Sequence, residues 1–175
     1  MIGRCDNLEA LRLEPLGVAH ADEMFDAMTA RAIYDYIPGA PPASLAVLRE
    51  RYARLAQGRS DDGLQQWLNW IIRLPSGHCA GFVQATLHRE HTGDFAYALA
   101  PQYWGRGVAF AASRATIALL ASDFEVKALY ATVDPRNSRS LRLLARLGFG
   151  EIAADAYPHG TVEPGDRVLL LSCGT

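Results

Sequence analysis

The stretch "FAYALAPQYWGRGVAFAASRATIALL" (residues 95–120) decides the fold. It passes from an alternating, strand-like segment through Pro, Gly and Gly into a long Ala-rich helix. That helix has no Ser, Thr, Asp or Asn at its head, although the first four N–H groups of any α-helix need partners from outside the helix. Gly105 and Gly107 allow one of two readings. They form a tight strand-to-helix turn with Arg106 solvated, or they bring bare backbone amides and the positive end of the helix dipole close to an anion. A neighbouring Ser or Asp would compete for those amides, so the missing cap is what an anion site requires.

The rest of the chain supplies the context. "LEALRLEPL" (8–16) alternates as a half-buried strand, and "HADEMFDAMTA" (20–30) places Met24, Phe25 and Met28 on one helical stripe. The turn-rich "IYDYIPGAPP" (33–42) precedes a second amphipathic helix over 43–58, with Ser44 as its cap and Gly58 as its stop. Strands over 66–74, 79–88 and 94–100, joined by short polar turns, form an antiparallel meander. Helix 107–123, buried strand 126–133 and helix 138–149 follow, the last ended by Gly148. Strands over 150–157 and 166–173 close the chain. The order β-α-α-β-β-β-α-β-α-β-β is that of one mixed α/β (α+β) domain spanning residues 1–175.

Composition excludes several function classes. Of 175 residues, 50% are hydrophobic and 21% charged, as in ordinary globular chains. A formal charge of -2 gives no general attraction to nucleic acid or anionic membrane. No window approaches the ~20 apolar residues of a membrane span, and the N-terminus lacks a signal-peptide core. Cys5, Cys79 and Cys173 are odd in number and widely spaced, which fits a reducing cytoplasm rather than a disulfide or metal framework. His78, His88 and His91 lack metal-ligand spacing and read as turn residues, so no metal is expected.

Among phosphate-binding loops, a dinucleotide fingerprint would need a third glycine where Phe110 stands, and a Walker A loop needs Gly-Lys-Ser/Thr. "QYWGRGVA" (102–109) instead reads Gln-x-x-Gly-x-Gly/Ala, and resembles the pyrophosphate loop of the GNAT superfamily of acetyl-CoA-dependent N-acetyltransferases. "DPRNSRSLRLLARLGF" (134–149) is similar to that superfamily's second motif, with Asn137, Ser140 and a closing Leu-Gly-Phe. The element order matches over nearly the whole chain, and the run from Tyr97 to Gly105 looks most like the ribosomal-protein N-terminal (alanine) acetyltransferase branch.

The resemblance implies a mostly antiparallel sheet of about seven strands, splayed between the fourth and fifth and flanked by about four helices. It implies acetyl-CoA as acyl donor, held at Gln102, Trp104, Gly105, Arg106, Gly107, Val108 and Ala109. Backbone at Ala98, Leu99 and Ala100 would pair with the pantetheine arm, and Asn137 and Ser140 would sit near the arm and thiol. Capping of the last helix by Asn137 or Ser138 is the alternative reading of these residues, and both roles can hold at once. Arg139, Arg142 and Arg146 share a helical face, read as solvated or as a phosphate contact. The family's tyrosine, seven residues after the motif asparagine, is replaced by Leu144. The thiolate-protonating role therefore passes to Ser140 or Tyr157, or to no residue. Asp94 and His159 are the candidates for general base.

"RAIYDYIPG" (31–39) and "YPHGTVEPG" (157–165) should wall the acceptor side. Tyr34, Tyr36 and Tyr157 there either form an acceptor slot or pack the core. The expected function is direct transfer of acetyl to a primary amine, a protein N-terminal α-amine or a small-molecule amine, by a cytoplasmic monomer or homodimer. A non-catalytic acyl-CoA sensor is the competing class.

Overall fold

The computed structural model describes residues 8–173; Cys5 lies outside them. Seven strands form one sheet in the order β1-β2-β3-β4-β5-β7-β6. The edge strand β1 (Arg12–Pro15) is shorter than the alternation predicts, because Leu8–Ala10 winds into a 3-10 turn. Pro15 is tolerated there because an edge strand leaves one side unpaired. Helix α1 (His20–Met28) buries Ala21, Met24 and Met28, and α2 (Leu45–Leu55) buries Leu48 and Tyr52. The Ser44 hydroxyl caps α2 by accepting from the Val47 amide at 3.3 Å, as the sequence indicates.

Strands β2 (Gln66–Arg73), β3 (Cys79–Leu87) and β4 (Thr92–Leu99) form the predicted meander. Helix α3 (Val108–Asp123), β5 (Ala128–Val133) and α4 (Ser138–Arg146) follow. Strand β6 is only Gly150–Ile152, since the chain leaves the sheet for a 3-10 turn at Ala154–Ala156. The apolar β7 (Arg167–Ser172) lies between β5 and β6, so its Val-Leu-Leu-Leu run is interior sheet.

Alternation along the strands gives the sheet two apolar faces. Trp70, Ile72, Val83, Ala85, Phe95 and Leu129 pack with Val108, Ala112 and Leu120 of α3 and Leu144 of α4. On the other face Ile71 and Phe82 meet Met24, Met28, Leu48 and Tyr52 of α1 and α2.

The sheet opens at its centre. Strands β4 and β5 run parallel and pair at only three positions, Thr92–Ala128, Gly93–Leu129 and Asp94–Tyr130. Beyond Asp94, β4 stays with β3 while β5 turns to β7. The Ala100 amide donates to the Ala80 carbonyl at 2.9 Å, so by strand alternation Ala98 and Ala96 also turn their amides to β3. The backbone groups of Phe95, Tyr97 and Leu99 therefore face the gap. Buried backbone without a partner is costly, so such an edge is suited to a ligand with its own amides.

Candidate active site

Three structures converge on this gap. The first is the loop past the end of β4. Pro101–Tyr103 forms a 3-10 turn in which the Tyr103 and Trp104 amides are spent on Ala100 and Pro101 carbonyls. The Trp104 indole N–H donates to the Leu99 carbonyl at 2.9 Å, so one gap-facing acceptor is already used. Gly105 and Gly107 have φ of 71° and 80°, left-handed values that side chains with a Cβ adopt only under strain. Gly107 is the N-cap of α3 and no side chain caps the helix. A Cβ at Gly105 would meet nothing within 4 Å, whereas one at Gly107 would press on Leu8 Cδ1 at 3.2 Å. The open volume over Gly105, with the free amides of the first turn of α3 behind it, fits a diphosphate. Gln102 and Arg106 are exposed at its rim, Val108 is buried and Ala109 half-buried.

The second is the head of α4. The Asn137 side chain accepts from the Ser140 amide at 3.1 Å, so Asn137, and not Ser138, is the cap. The Ser140 hydroxyl lies 2.9 Å from the Tyr97 hydroxyl across the gap. Burial pushes the Tyr97 phenol up from its ordinary pKa, against a smaller opposing effect of Ser140. Leu144 is 1% exposed among core side chains, where no polar atom could reach the gap. The arginine face is not simply solvated. The guanidinium of Arg139 stands 4.8 Å over the Trp104 ring and that of Arg146 4.4 Å over Phe110, bracing α4 against the loop and α3.

The third is a polar cluster at the closed end of the gap, on the opposite sheet face from Tyr97. One Asp94 carboxylate oxygen accepts from the Tyr157 hydroxyl at 2.8 Å, and the other is 2.8 Å from His88 Nε2. His159 stacks on His88 with centroids 3.8 Å apart and planes 8° off parallel, and Tyr130 and Tyr157 meet it edge-on. These five side chains tie β4, β5 and the loop after β6 together. Burial pushes the Tyr157 phenol up, and its bond to Asp94 adds to that. Burial holds the His159 imidazole below its usual pKa, with His88 adding and Asp94 opposing. His159 Nε2 is buried and without a hydrogen-bond partner.

Donor atoms of His88, Asp94 and His159 lie within 4.8 Å of one another. The stacked rings, however, send their in-plane lone pairs along parallel planes, so they cannot meet at one metal ion without a ring turning out of the stack.

The remaining candidates fall outside this centre. The Tyr34 hydroxyl donates to the Met28 carbonyl and its ring packs against the α1–α2 core. Tyr36 is 42% exposed, with Arg136 6.0 Å over its ring. An open cavity of about 630 Å³ reaches the polar cluster from outside, lined by Asp62, Gln65, His88, Glu90, Tyr130 and His159. No helix among the described residues is long and apolar enough to cross a membrane.

Sequence reasoning missed Tyr97, His88 and Tyr130. Tyr97 alternates onto the α4 side of β4, which strand phase alone could have shown. His88 meets His159 only through tertiary folding, 71 positions away in the chain (159 − 88), and no local pattern reports that.

A family model for the GNAT acetyltransferase domain matches residues 10–150, and the chain belongs to that family. It is an acetyl-CoA-dependent N-acetyltransferase. Similar solved structures include spermidine N-acetyltransferase from Vibrio cholerae with CoA and spermine, at 16% identity, covering 94% of this chain and 96% of that one, TM-score 0.75. Aminoglycoside acetyltransferase AAC(6')-Ib with coenzyme A is 21% identical, covering 93% and 95%, TM-score 0.74. The ribosomal-protein-S5-alanine acetyltransferase of Vibrio fischeri is 20% identical, covering 93% and 92%, TM-score 0.72. At these identities the likeness establishes the shared fold.

Proposed function

We propose that the protein acetylates a primary amine by direct transfer within the β4–β5 gap, with a protein N-terminal α-amine as the best-matched acceptor. The first-turn amides of α3 and the glycine turn hold the donor's diphosphate, with Arg106 at the rim. The gap-facing amides of Tyr97 and Leu99 line the arm and stand ready to donate to a developing oxyanion. Ala98 and Ala100 contribute spacing and not bonds, since their amides belong to β3. Bound acetyl-CoA supplies an acyl thioester, whose carbonyl carbon gains a bond to nitrogen as the C–S bond breaks.

His159 is the general base. Its Nε2 is the orphaned atom of the cluster, and the nitrogen of an entering amine is the partner it lacks. Asp94 is less suited, because both of its oxygens are engaged; it fixes Tyr157 and His88 and favours positive charge on the amine side. Tyr157, with a raised pKa and its hydroxyl hydrogen-bonded to Asp94, orients the carboxylate and does not protonate the thiolate. Ser140 faces the sulfur side.

The observation that carries the acceptor class is the buried, partnerless Nε2 of His159, because burial disfavours the imidazolium and makes the base a weak one. An α-amine titrates near ~7.7–8.0, within reach of a weak imidazole base, whereas an alkylamine of the lysine type titrates near ~10.4. Asp62 and Glu90, which outnumber the one arginine of the cavity, Arg89, favour a second reading, a small cationic amine drawn in by carboxylates. Incubation with acetyl-CoA and matched panels of peptides and small amines, followed by mass spectrometry, separates the two. Acetylated peptide N-termini support the first reading and acetylated polycations the second. CoA binding without any product favours a sensor.

A further inference from the structure

The core position of Leu144 leaves the departing thiolate without the phenol that a tyrosine would have supplied. A phenol is nevertheless present at the gap, on β4 instead of α4: the Tyr97 hydroxyl lies 2.9 Å from Ser140 Oγ. Two hydroxyls sharing one hydrogen bond use one of their two protons and leave the other free to donate. Neither oxygen has a further side-chain partner among the described residues, and the Ser140 amide is already held by Asn137. Tyr97 packs against the core with Phe95, their ring centroids 6.2 Å apart, so its hydroxyl has little freedom. A phenol is a stronger acid than an aliphatic alcohol, so in the shared bond Tyr97 is the better donor and Ser140 the better acceptor. The arrangement in which Tyr97 donates and Ser140 points its own proton into the gap is therefore favoured.

Position completes the case. From Leu99 to Phe95 the open edge is roughly 14 Å long at about 3.4 Å per residue. It is bounded by the glycine loop at one end and by the paired Asp94–Tyr130 at the other. Tyr97 is its midpoint. An arm anchored in the loop must end its thiol on this edge, with the base cluster on one sheet face and the hydroxyl pair on the other.

Resting on the acyl-transfer reading above, we infer that Tyr97 is a positioning residue that aims the Ser140 hydroxyl at the departing sulfur. The C–S bond breaks with its electron pair moving to sulfur, and the amine proton goes to His159. Ser140 donates a hydrogen bond to the thiolate until solvent returns to the sulfur the proton that His159 took from the amine and released. Neither hydroxyl is consumed, so no tyrosinate needs to form.

The test uses CoA alone, titrated by thiolate absorbance while bound to the full-length protein. A thiol of this kind ionises near pH 8.5 in water by analogy with cysteine. In the wild type the bound thiol should ionise at lower pH than free CoA. Tyr97→Phe and Ser140→Ala should each weaken that ionisation about tenfold, and the double variant should lose no more than either single one. With an acetyl thioester of an acidic aryl thiol, the kcat defect of both variants should vanish while acetyl-CoA KM stays unchanged. A packing role for Tyr97 would move neither readout. If Tyr97→Phe does not fold, the Ser140→Ala result decides alone. Equal thiol ionisation in wild type and variants overturns the inference while leaving acyl transfer intact. Failure of the wild type to bind CoA overturns the acyl-transfer reading itself, and this one with it.

Discussion

At the residue scale, His159 carries the strongest chemical claim. Burial depresses its pKa, so the folded protein resists a proton that the unfolded chain accepts below about pH 6.5. The sign follows: the unfolded state binds more protons in that window, so stability declines as pH falls below about 6.5 and is unaffected by this group above it. Thermal melts across pH 5–8 should show the decline in the wild type and a smaller one in His159→Gln. For activity, the same depression keeps the imidazole neutral, so kcat/KM, once corrected for the acceptor amine's own ionisation, should hold to below pH 6.5. His159→Ala should lower kcat by about 10²-fold at pH 7.5, the lower end of general-base contributions. A loss under threefold in steady-state kinetics would remove His159 from the mechanism. Leu144 makes a second residue-scale case. Placing a tyrosine at this buried site overpacks the core, and Leu144→Tyr should cost about 1–3 kcal/mol in urea unfolding without raising kcat.

Among the elements, the heads of the two helices flanking the gap differ in a way the sequence partly exposes. Helix α4 is capped by Asn137, and Asn137→Ala should destabilise by about 1 kcal/mol in denaturant unfolding. Helix α3 has no cap, and Gly107 in a left-handed conformation leaves its amides open. Gly-x-Gly without a capping side chain was readable from the chain, as were the meander, the Ser44 cap and the Leu-Gly-Phe stop. The element ends were less legible. Strand β1 lost Leu8–Ala10 to a 3-10 turn, and β6 ended at Ile152 although residues up to 157 keep a strand-like pattern. In both places pairing ran out before hydrophobic alternation did. The site divides along the same line. One continuous segment, from Gln102 to Ala109, could be nominated from sequence as a donor loop, and its glycine turn and uncapped helix head were legible there. The Asp94–Tyr157 bond, spanning 63 positions, and the His88–His159 stack needed the fold. Ala98 and Ala100 were assigned free backbone only because strand phase relative to β3 cannot be read from composition.

The whole molecule explains why one gap can serve two substrates. The glycine loop lies beyond the C-terminal end of β4, while the acidic cavity opens beside its N-terminal end. On the proposed reading, donor and acceptor approach from opposite ends and are present together. Initial-rate kinetics should give intersecting double-reciprocal lines, as a ternary complex requires; parallel lines would indicate an acyl-enzyme and contradict this geometry. The gap itself is maintained by separate pairing, β4 with β3 and β5 with β7, over the core under α3 and α4 to which both pairs contribute.

The most direct measurement is calorimetric titration of CoA into the wild type and into Gly105→Glu. The new side chain would project into the volume that a Cβ at this position finds empty, carrying a negative charge to where the diphosphate must sit, at a strain of about 1–2 kcal/mol. The account predicts at least a hundredfold weaker binding in a variant whose circular dichroism matches the wild type. Undiminished affinity in a folded Gly105→Glu protein would contradict it.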